Sequence, residues 1–339
     1  MRARRVGFRS GTDHELTALH AVESVVAAER GSHRMPQRID AYIAYARNLP
    51  SQFNDHAWLA ESMTGEGLAC GYCWYNSAAA DRVMECDVLV RRDHRRRGLG
   101  SLLVREICAA AVAADRPMLT WSTYDAVPAG QAFSQRVGAT IGRVNRTSEL
   151  ALDDVDWTLV ADWSRAPHAR RRGYRFEVID GAYPDHALAD AVTFHRIMQS
   201  APREDLQIGD VELDSDFVTQ RDRSMLEAGQ QRWTILVRDA NDVCVGGTEV
   251  TFDPSEPAIA FQHNTGIDVE HRGLGLAKWV KGSMLERIRV KRPDVTRIRT
   301  DNAYSNAAMI GINTALGFRT VSSRTEWQAD AQLVLQALG

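Results

Sequence analysis

HRRRGLG at His94–Gly100 and HRGLGLA at His271–Ala277 are variants of one heptapeptide, 177 positions apart in a chain of 339 residues. A recurrence at about half the chain length marks an internal repeat, and the flanks repeat as well. An apolar, strand-like run precedes each copy, Val83–Val90 and Ile259–Val269. A helical pattern follows each. Leu102, Leu103, Ile107 and Ala110 share one face of Leu99–Ala114, and Ala277, Val280, Met284, Leu285 and Ile288 share one face of Leu276–Val290. Next come a strand (Met118–Thr123; Arg297–Thr300), a short helix ending in glycine (Pro128–Gly138; Ser305–Gly317) and a last strand (Thr140–Asn145; Arg319–Ser323).

Upstream the halves also correspond. Each opens with a strand (Arg5–Arg9; Tyr174–Ile179), then two helical segments (Glu15–Glu29 and Pro36–Asn48; Asp185–Ser200 and Asp216–Gly229), then two strands (Ala57–Ser62 and Leu68–Tyr75; Arg232–Asp239 and Val243–Phe252). The order β-α-α-β-β-β-α-β-α-β therefore occurs twice, which predicts two α/β domains. We place them at residues 1–152 and 174–339, joined by a linker helix and basic turn at 153–173, with the split near residue 165. The length agrees with two domains rather than one core.

Strand, glycine turn and helix together have a physical use. Glycine lets backbone approach a ligand and adopt angles other residues avoid. The first turn of a helix offers free N–H groups and a partial positive charge, a setting for a pyrophosphate. The cradle parts are Arg95, Arg96, Arg97, Gly98, Leu99, Gly100 and Ser101 in the first copy. In the second they are Arg272, Gly273, Leu274, Gly275, Leu276 and Ala277. The dinucleotide fingerprint needs a third glycine and a distant acid, and the P-loop needs Gly-Lys-Ser/Thr; neither pattern is present.

Composition narrows the class. Net charge is −3, with only three lysines among 41 basic residues, so there is no broad basic field for nucleic acid. No apolar run approaches a membrane span, and no signal peptide is legible; the expectation is a cytoplasmic protein. The five cysteines form no disulfide framework. Cys70-Gly-Tyr-Cys73 lacks a partner pair and lies in a strand pattern, so no metal is expected.

These residues resemble the GNAT superfamily of N-acetyltransferases, whose signature Gln/Arg-x-x-Gly-x-Gly/Ala after the fourth strand is matched by Arg95–Gly100 and Arg272–Ala277. The second copy also carries the Asn-bearing helix ending in Gly-Phe (Asn302, Asn306, then Asn313–Phe318). The first copy is looser, with Phe133 and then Gly138-Ala139. Tandem members include mycothiol synthase and enzymes of actinobacterial secondary metabolism. The resemblance implies, in each domain, a mixed central sheet flanked by helices, with the fourth and fifth strands splayed around a pantetheine arm. It implies acetyl-CoA or another acyl-CoA as cosubstrate, held near Leu89 and Val90 and near Gly266, Ile267 and Val269, with Phe133, Asn302 and Asn306 close by. An amine attacks the thioester directly. The acceptor, a small-molecule amine, lies among the variable helices at Pro36–Asn48 and Asp185–Gly229. The family's usual acid, a Tyr five residues before the Phe, is replaced here by Ser134 and Asn313.

Aligning third strands on Gly71 and Gly246 sets Glu249 against Trp74. Glu249, with a pKa raised by partial burial, is a candidate base; His263 is a second, and Tyr304 a candidate donor to the thiolate. Glu85 and Tyr72 are the first copy's counterparts. We expect the second domain to be catalytic and the first to hold acetyl-CoA. The alternatives for the division of roles are that the first copy is the active one or that both are. The alternatives for function are a non-catalytic acyl-CoA-binding or sensing protein, a mycothiol-synthase-like enzyme and a protein N-acetyltransferase.

Overall fold

The structure, a computed structural model, describes residues 3–31, 38–49, 52–77, 79, 81–200, 204–209 and 213–339. It consists of two compact units. In chain order the first half supplies β1 (Ala3–Val6), α1 (Asp13–Arg30), α2 (Ile39–Arg47), β2 (Phe53–Glu61), β3 (Gly67–Asn76), β4 (Val83–Val90), α3 (Leu99–Ala113), β5 (Met118–Tyr124), α4 (Pro128–Arg136) and β6 (Thr140–Ala151). The second half supplies α5 (Trp157–Arg165), α6 (Pro167–Arg171), β7 (Arg175–Asp180), α7 (Leu188–Gln199), α8 (Ser215–Glu227), β8 (Gln231–Arg238), β9 (Cys244–Phe252), β10 (Ile259–Ile267), α9 (Leu276–Lys291), β11 (Arg297–Ala303), α10 (Ala307–Leu316), β12 (Arg319–Asp330) and α11 (Ala331–Leu338). The start of the expected second helix, Pro36 and Gln37, lies outside the described residues.

Local sequence explains the elements that frame the sites. Thr12 and Glu15 close a capping box at the start of α1, satisfying two N–H groups that the helix cannot. Leu16, Leu19, Val22 and Val26 then recur at helical spacing and go into the core. In α3 the buried stripe is Leu99, Leu103, Val104, Ile107, Cys108 and Ala111, and it packs on β3, β4 and β5. β9, packed against by both α7 and α9, is buried along its whole length.

The first unit orders its strands β1-β2-β3-β4-β5-β12-β6, and the second β6-β11-β10-β9-β8-β7. The pairs β1–β2, β2–β3, β3–β4, β5–β12, β7–β8, β8–β9 and β9–β10 run antiparallel, and β4–β5 and β10–β11 run parallel. Those parallel pairs open. β4 and β5 pair only from Val83↔Met118 to Glu85↔Thr120, and β10 and β11 only from Ile259↔Arg297 to Gln262↔Thr300. Beyond these points the strands continue apart. The expected mixed sheet with a splayed strand pair is present in both units.

The units do not follow the repeat boundary. The first comprises Met1–Asn145, Arg203–Glu212 and Ser322–Gly339; the second comprises Arg146–Pro202 and Leu213–Val321. β6 therefore leaves the first unit at Arg146, and β12 enters it at Ser322. In the first unit β12 pairs with β5 from Arg324↔Tyr124 to Asp330↔Met118. α11 then packs on α3, burying Ala331 and Val334. In the second unit Thr147 donates to Asp301 at 2.6 Å, and the Arg299 guanidinium holds Glu149 at 2.6 Å. The expected linker at 153–173 is structural: α5 packs on α9, with Val160 and Ala169 in the second unit's core. Both long strands were expected to be half their length, ending at Asn145 and Ser323. Each runs on through a mostly polar stretch in which Thr147 and Leu150, and Thr325, Trp327 and Gln328, are buried.

Candidate functional site

Both glycine turns form the same backbone shape. Gly98 (φ 83°) and Gly275 (φ 79°) are the left-handed N-caps of α3 and α9, and neither helix start carries a side-chain cap. Two residues earlier, Arg96 (φ 62°) and Gly273 (φ 77°) are also left-handed. Alternating left-handed residues turn successive N–H groups inward and make an anion-binding nest. A side chain held there, as at Arg96, is uncommon and marks a constrained functional turn. A Cβ added at Gly98, Gly273 or Gly275 would meet nothing within 4 Å, so the mouth of each nest is open.

The motif arginines brace the turn. Arg95 Nε donates to the Val90 carbonyl at 3.0 Å, and Arg272 Nε to the Ile267 carbonyl at 3.0 Å. Arg95 also pairs with Glu29, and Arg272 reaches Ser200 at 3.5 Å. Sequence reasoning gave these two arginines to the phosphate; the structure gives them to the end of the splayed strand. Arg96 and Arg97 remain exposed at the mouth, and Arg136 adds a cation beside Ser101 at 3.2 Å.

In the first unit a cavity of about 380 Å³ runs from this nest into the gap between β4 and β5, within the ~300–1,000 Å³ of small-molecule sites. Val90, Gly98, Ser101, Trp121, Phe133 and Ser134 are on its wall. A diphosphate on the nest with an extended arm in the gap fits this shape. Leu89, by contrast, buries its side chain in the core on the other face. Cys86, also on the wall, is a buried thiol whose pKa desolvation pushes well above its usual value, so it stays protonated and inert. Ser134 is fully buried, accepts from Trp121 Nε1 at 2.8 Å and donates to the Gly130 carbonyl at 3.0 Å.

The second unit differs at the matching places. β9 and β10 slip register between Gln262↔Val250 and Thr265↔Thr248, so His263 and Asn264 together oppose Glu249. β3 and β4 pair without a slip. Counting from the matched strand ends Val90 and Ile267, Glu249 alone stands where the first unit has Tyr72 and Cys73. The glycine-based pairing of Glu249 with Trp74 is therefore corrected: the register sets Trp74 against Val250. A strand one residue shorter forces a bulge in its neighbour, which frees backbone groups and re-aims side chains.

Glu249 is 0% exposed and held by Arg221 at 2.8 Å, with Tyr183 Oη donating at 3.4 Å. Burial alone would raise its pKa, but Arg221, Arg232, His195 and His263 outweigh it and hold the carboxyl below the usual range. The raised pKa asked of Glu249 is thus reversed. It is a fixed buried anion rather than a proton acceptor. Arg232 is itself buried and paired with Asp222 at 2.6 Å, and burial pushes His195 down to about 4.

His263 lies in the bulge, and its Nε2 is hydrogen-bonded with Thr251 Oγ1, 2.6 Å away. Desolvation lowers its pKa, with Glu249 opposing. It is neutral at neutral pH and available to take a proton. Tyr304 is exposed in the turn before α10, its ring under the Arg146 guanidinium at 3.7 Å. Val269 is exposed, while Ile267 and Leu276 are core residues, and Leu274 and Ala277 pack against that core. Gly266 lies against Met198, whose sulfur a Cβ would meet at 2.5 Å. Asn306 caps α10, accepting from Met309 N–H at 3.2 Å. Asn302 accepts from Asn313 Nδ2 at 2.7 Å, and Asn313 Oδ1 accepts from Lys281 Nζ at 2.7 Å. Lys281 was not singled out from sequence, yet it falls on the same helical stripe as Ala277, Met284 and Ile288.

A twice-built nest at the end of a splayed parallel strand pair defines a tandem GNAT-fold protein. Residues 22–139 match the sequence profile of the Acetyltransferase (GNAT) family. Over its length the chain is similar in fold to a tandem GNAT protein from the clavulanic acid biosynthesis pathway, solved without AcCoA (TM-score 0.78, 23% identity, covering 97% of this chain and 99% of that one). It is also similar to a GCN5-related N-acetyltransferase from Sphaerobacter thermophilus (0.64, 13%, 97% and 96%) and to a probable N-acyltransferase from Enterococcus faecalis V583 (0.56, 10%, 98% and 73%). No curated protein matches the chain in sequence. Among the described residues no helix is long and apolar enough to cross a membrane.

Proposed function

We propose that the chain is an acyl-CoA-dependent N-acyltransferase that moves an acetyl group from acetyl-CoA to the amine of a small metabolite. The second unit carries out transfer, and the first holds an acyl-CoA. The observation that carries this division is the bulge opposite Glu249. It presents His263 at the opened strand pair of the second unit, where the first unit has an unbroken strand and the inert thiol of Cys86.

In this reading Gly98, Gly100 and the first N–H groups of α3 hold one diphosphate, and Gly275, Ala277 and α9 hold the other. The acyl thioester supplies the activated carbonyl. The amine nitrogen forms the new C–N bond while the C–S bond breaks. The amine proton passes to His263, directly or through one water, and the sulfur leaves with its electron pair. Glu249 and its arginines fix the strand register that aims His263. A free thiol ionises near about pH 8.5, so a thiolate is a workable leaving group without a tyrosine acid. The likeness to a protein of clavulanic acid biosynthesis makes antibiotic biosynthesis the natural setting for such a reaction.

Non-denaturing mass spectrometry with acetyl-CoA tests the two nests. Two molecules per chain are expected, with one lost in each of Gly98→Trp and Gly275→Trp. No bound acetyl-CoA in the parent chain would sink the reading. Two bound molecules with no thiol released across a broad amine panel would leave an acyl-CoA-binding protein, the alternative that Ser134 and Asn313 at the tyrosine position favour.

A further inference from the structure

Lys281 is the least expected residue in the second unit: an amine only 2% exposed, in the middle of a helix. Its Nζ donates to Asn313 Oδ1 at 2.7 Å and lies 5.4 Å from the Phe318 ring centroid. Burial is what perturbs it, pushing it down to about 7, with no neighbouring charge offsetting that effect. A buried cation without a charged partner is costly to the fold, so its persistence asks for a use.

The hydrogen-bond direction is forced. An ammonium has only donors, so Asn313 must turn Oδ1 toward Lys281. Its Nδ2 is then left to donate, and it does so to Asn302 Oδ1 at 2.7 Å. Asn302 must therefore turn its oxygen inward, and its amide N–H groups form the outer end. Burial falls along the same path, from Lys281 and Asn313 in the core to half-buried Asn302. Asn302 lies two residues past the last β10–β11 pair, Gln262↔Thr300, where the strands have parted.

The internal repeat locates this outer end. The matching residues of the first unit are Val104 on α3, Ser134 on α4 and Thr123 on β5. Thr123 and Asn302 are matched because each precedes the residue whose carbonyl closes the turn into the next helix, Tyr124 and Ala303. All three first-unit residues are on the wall of the cavity between β4 and β5. The trio in the second unit thus stands at the corresponding gap.

We propose that Lys281, acting through Asn313 and Asn302, is a positioning group for the sulfur end of a coenzyme A in the second unit. It holds the Asn302 amide with its N–H groups outward to receive the thiolate as the C–S bond breaks. The charge three groups back favours an anionic sulfur over a neutral one. This rests on the reading that the second unit takes an acyl-CoA.

The test compares CoA with desulfo-CoA by titration calorimetry near neutral pH, in a Gly98→Trp background that keeps the first nest out of the signal. CoA is expected to bind about fivefold tighter, the factor one net hydrogen bond supplies. Lys281→Met and Asn302→Ala bring the ratio to about one by weakening CoA alone. Asn302→Asp still accepts from Asn313 but offers oxygen to the sulfur, and takes the ratio below one. Lys281→Met keeps the side-chain volume, and its melting temperature, equal to or above the parent's, certifies the fold. An unchanged ratio in all three variants overturns the inference and leaves the CoA reading standing. Failure of both ligands to bind the Gly98→Trp protein overturns the reading it rests on, and the inference with it.

Discussion

Set side by side, the two units share a backbone and differ in what they place at the parted strands. The first has an unbroken β4, with Cys86, Val104 and Ser134 around the cavity. The second has a bulge, with His263, Lys281 and Asn313 at the matching positions and Glu249 buried behind them. The nests, the braces from Arg95 and Arg272, and the splay are common to both. In the proposed reading, the shared backbone is the place for a diphosphate and an arm. In the proposed division of labour, one residue fewer in β9 and a few polar substitutions separate the holding unit from the reacting one.

The comparison breaks most readily at His263. His263→Asn is expected to lower kcat/KM by about a hundredfold or more, the usual weight of a general base. The parent enzyme should lose activity as pH falls and His263 protonates. That acid limb should lie below the ordinary histidine value of 6.5 because burial depresses this pKa. The limb should vanish in the variant; its survival would assign the base elsewhere.

Glu249→Gln comes next. Removing the anion leaves Arg232 buried and under-compensated, while Arg221 can turn to water. A loss of about 3 kcal/mol in urea-determined stability follows from breaking a buried pair. Unchanged stability would show that Glu249 is not the anchor of this cluster.

Lys281→Met should act in the opposite direction. Folded Lys281 titrates near 7 against 10.5 for the free side chain. Between those values the unfolded chain binds more protons, so this group's contribution to stability rises with pH, and its full penalty is present below about 7. The variant should gain about 2 kcal/mol at or below neutral pH, as apolar replacements of buried charges do. The gain should shrink toward pH 10.5; a gain independent of pH would contradict a depressed lysine. The smallest effect is expected in the first unit, where Cys86→Ala should leave turnover within about twofold, as expected for an inert buried thiol.

Much of this was legible in the sequence. The heptapeptides at His94 and His271 carried the repeat, the nests and the strand–turn–helix order, because glycine at a helix start has few other uses. β4 was bounded correctly because an apolar run between turns has sharp ends. The continuations of β6 past Asn145 and of β12 past Ser323 were missed because polar residues such as Arg146, Ser148, Arg324 and Glu326 interrupt the apolar pattern that marks a strand. The role of Glu249 depended on register: a one-residue deletion in β9 becomes visible only when β10 is paired beside it. Lys281 was legible in principle, since its spacing from Ala277, Met284 and Ile288 puts it on the buried stripe. Its partners Asn313 and Asn302 belong to other elements, and no spacing rule joins them.

The most direct test of the division of labour is thiol release from acetyl-CoA, with an amine acceptor found by panel screening, in Gly98→Trp and Gly275→Trp. The account predicts that Gly98→Trp still turns over, while Gly275→Trp binds one acetyl-CoA and releases no thiol. Turnover retained in Gly275→Trp and abolished in Gly98→Trp would contradict it and move the chemistry to the first unit.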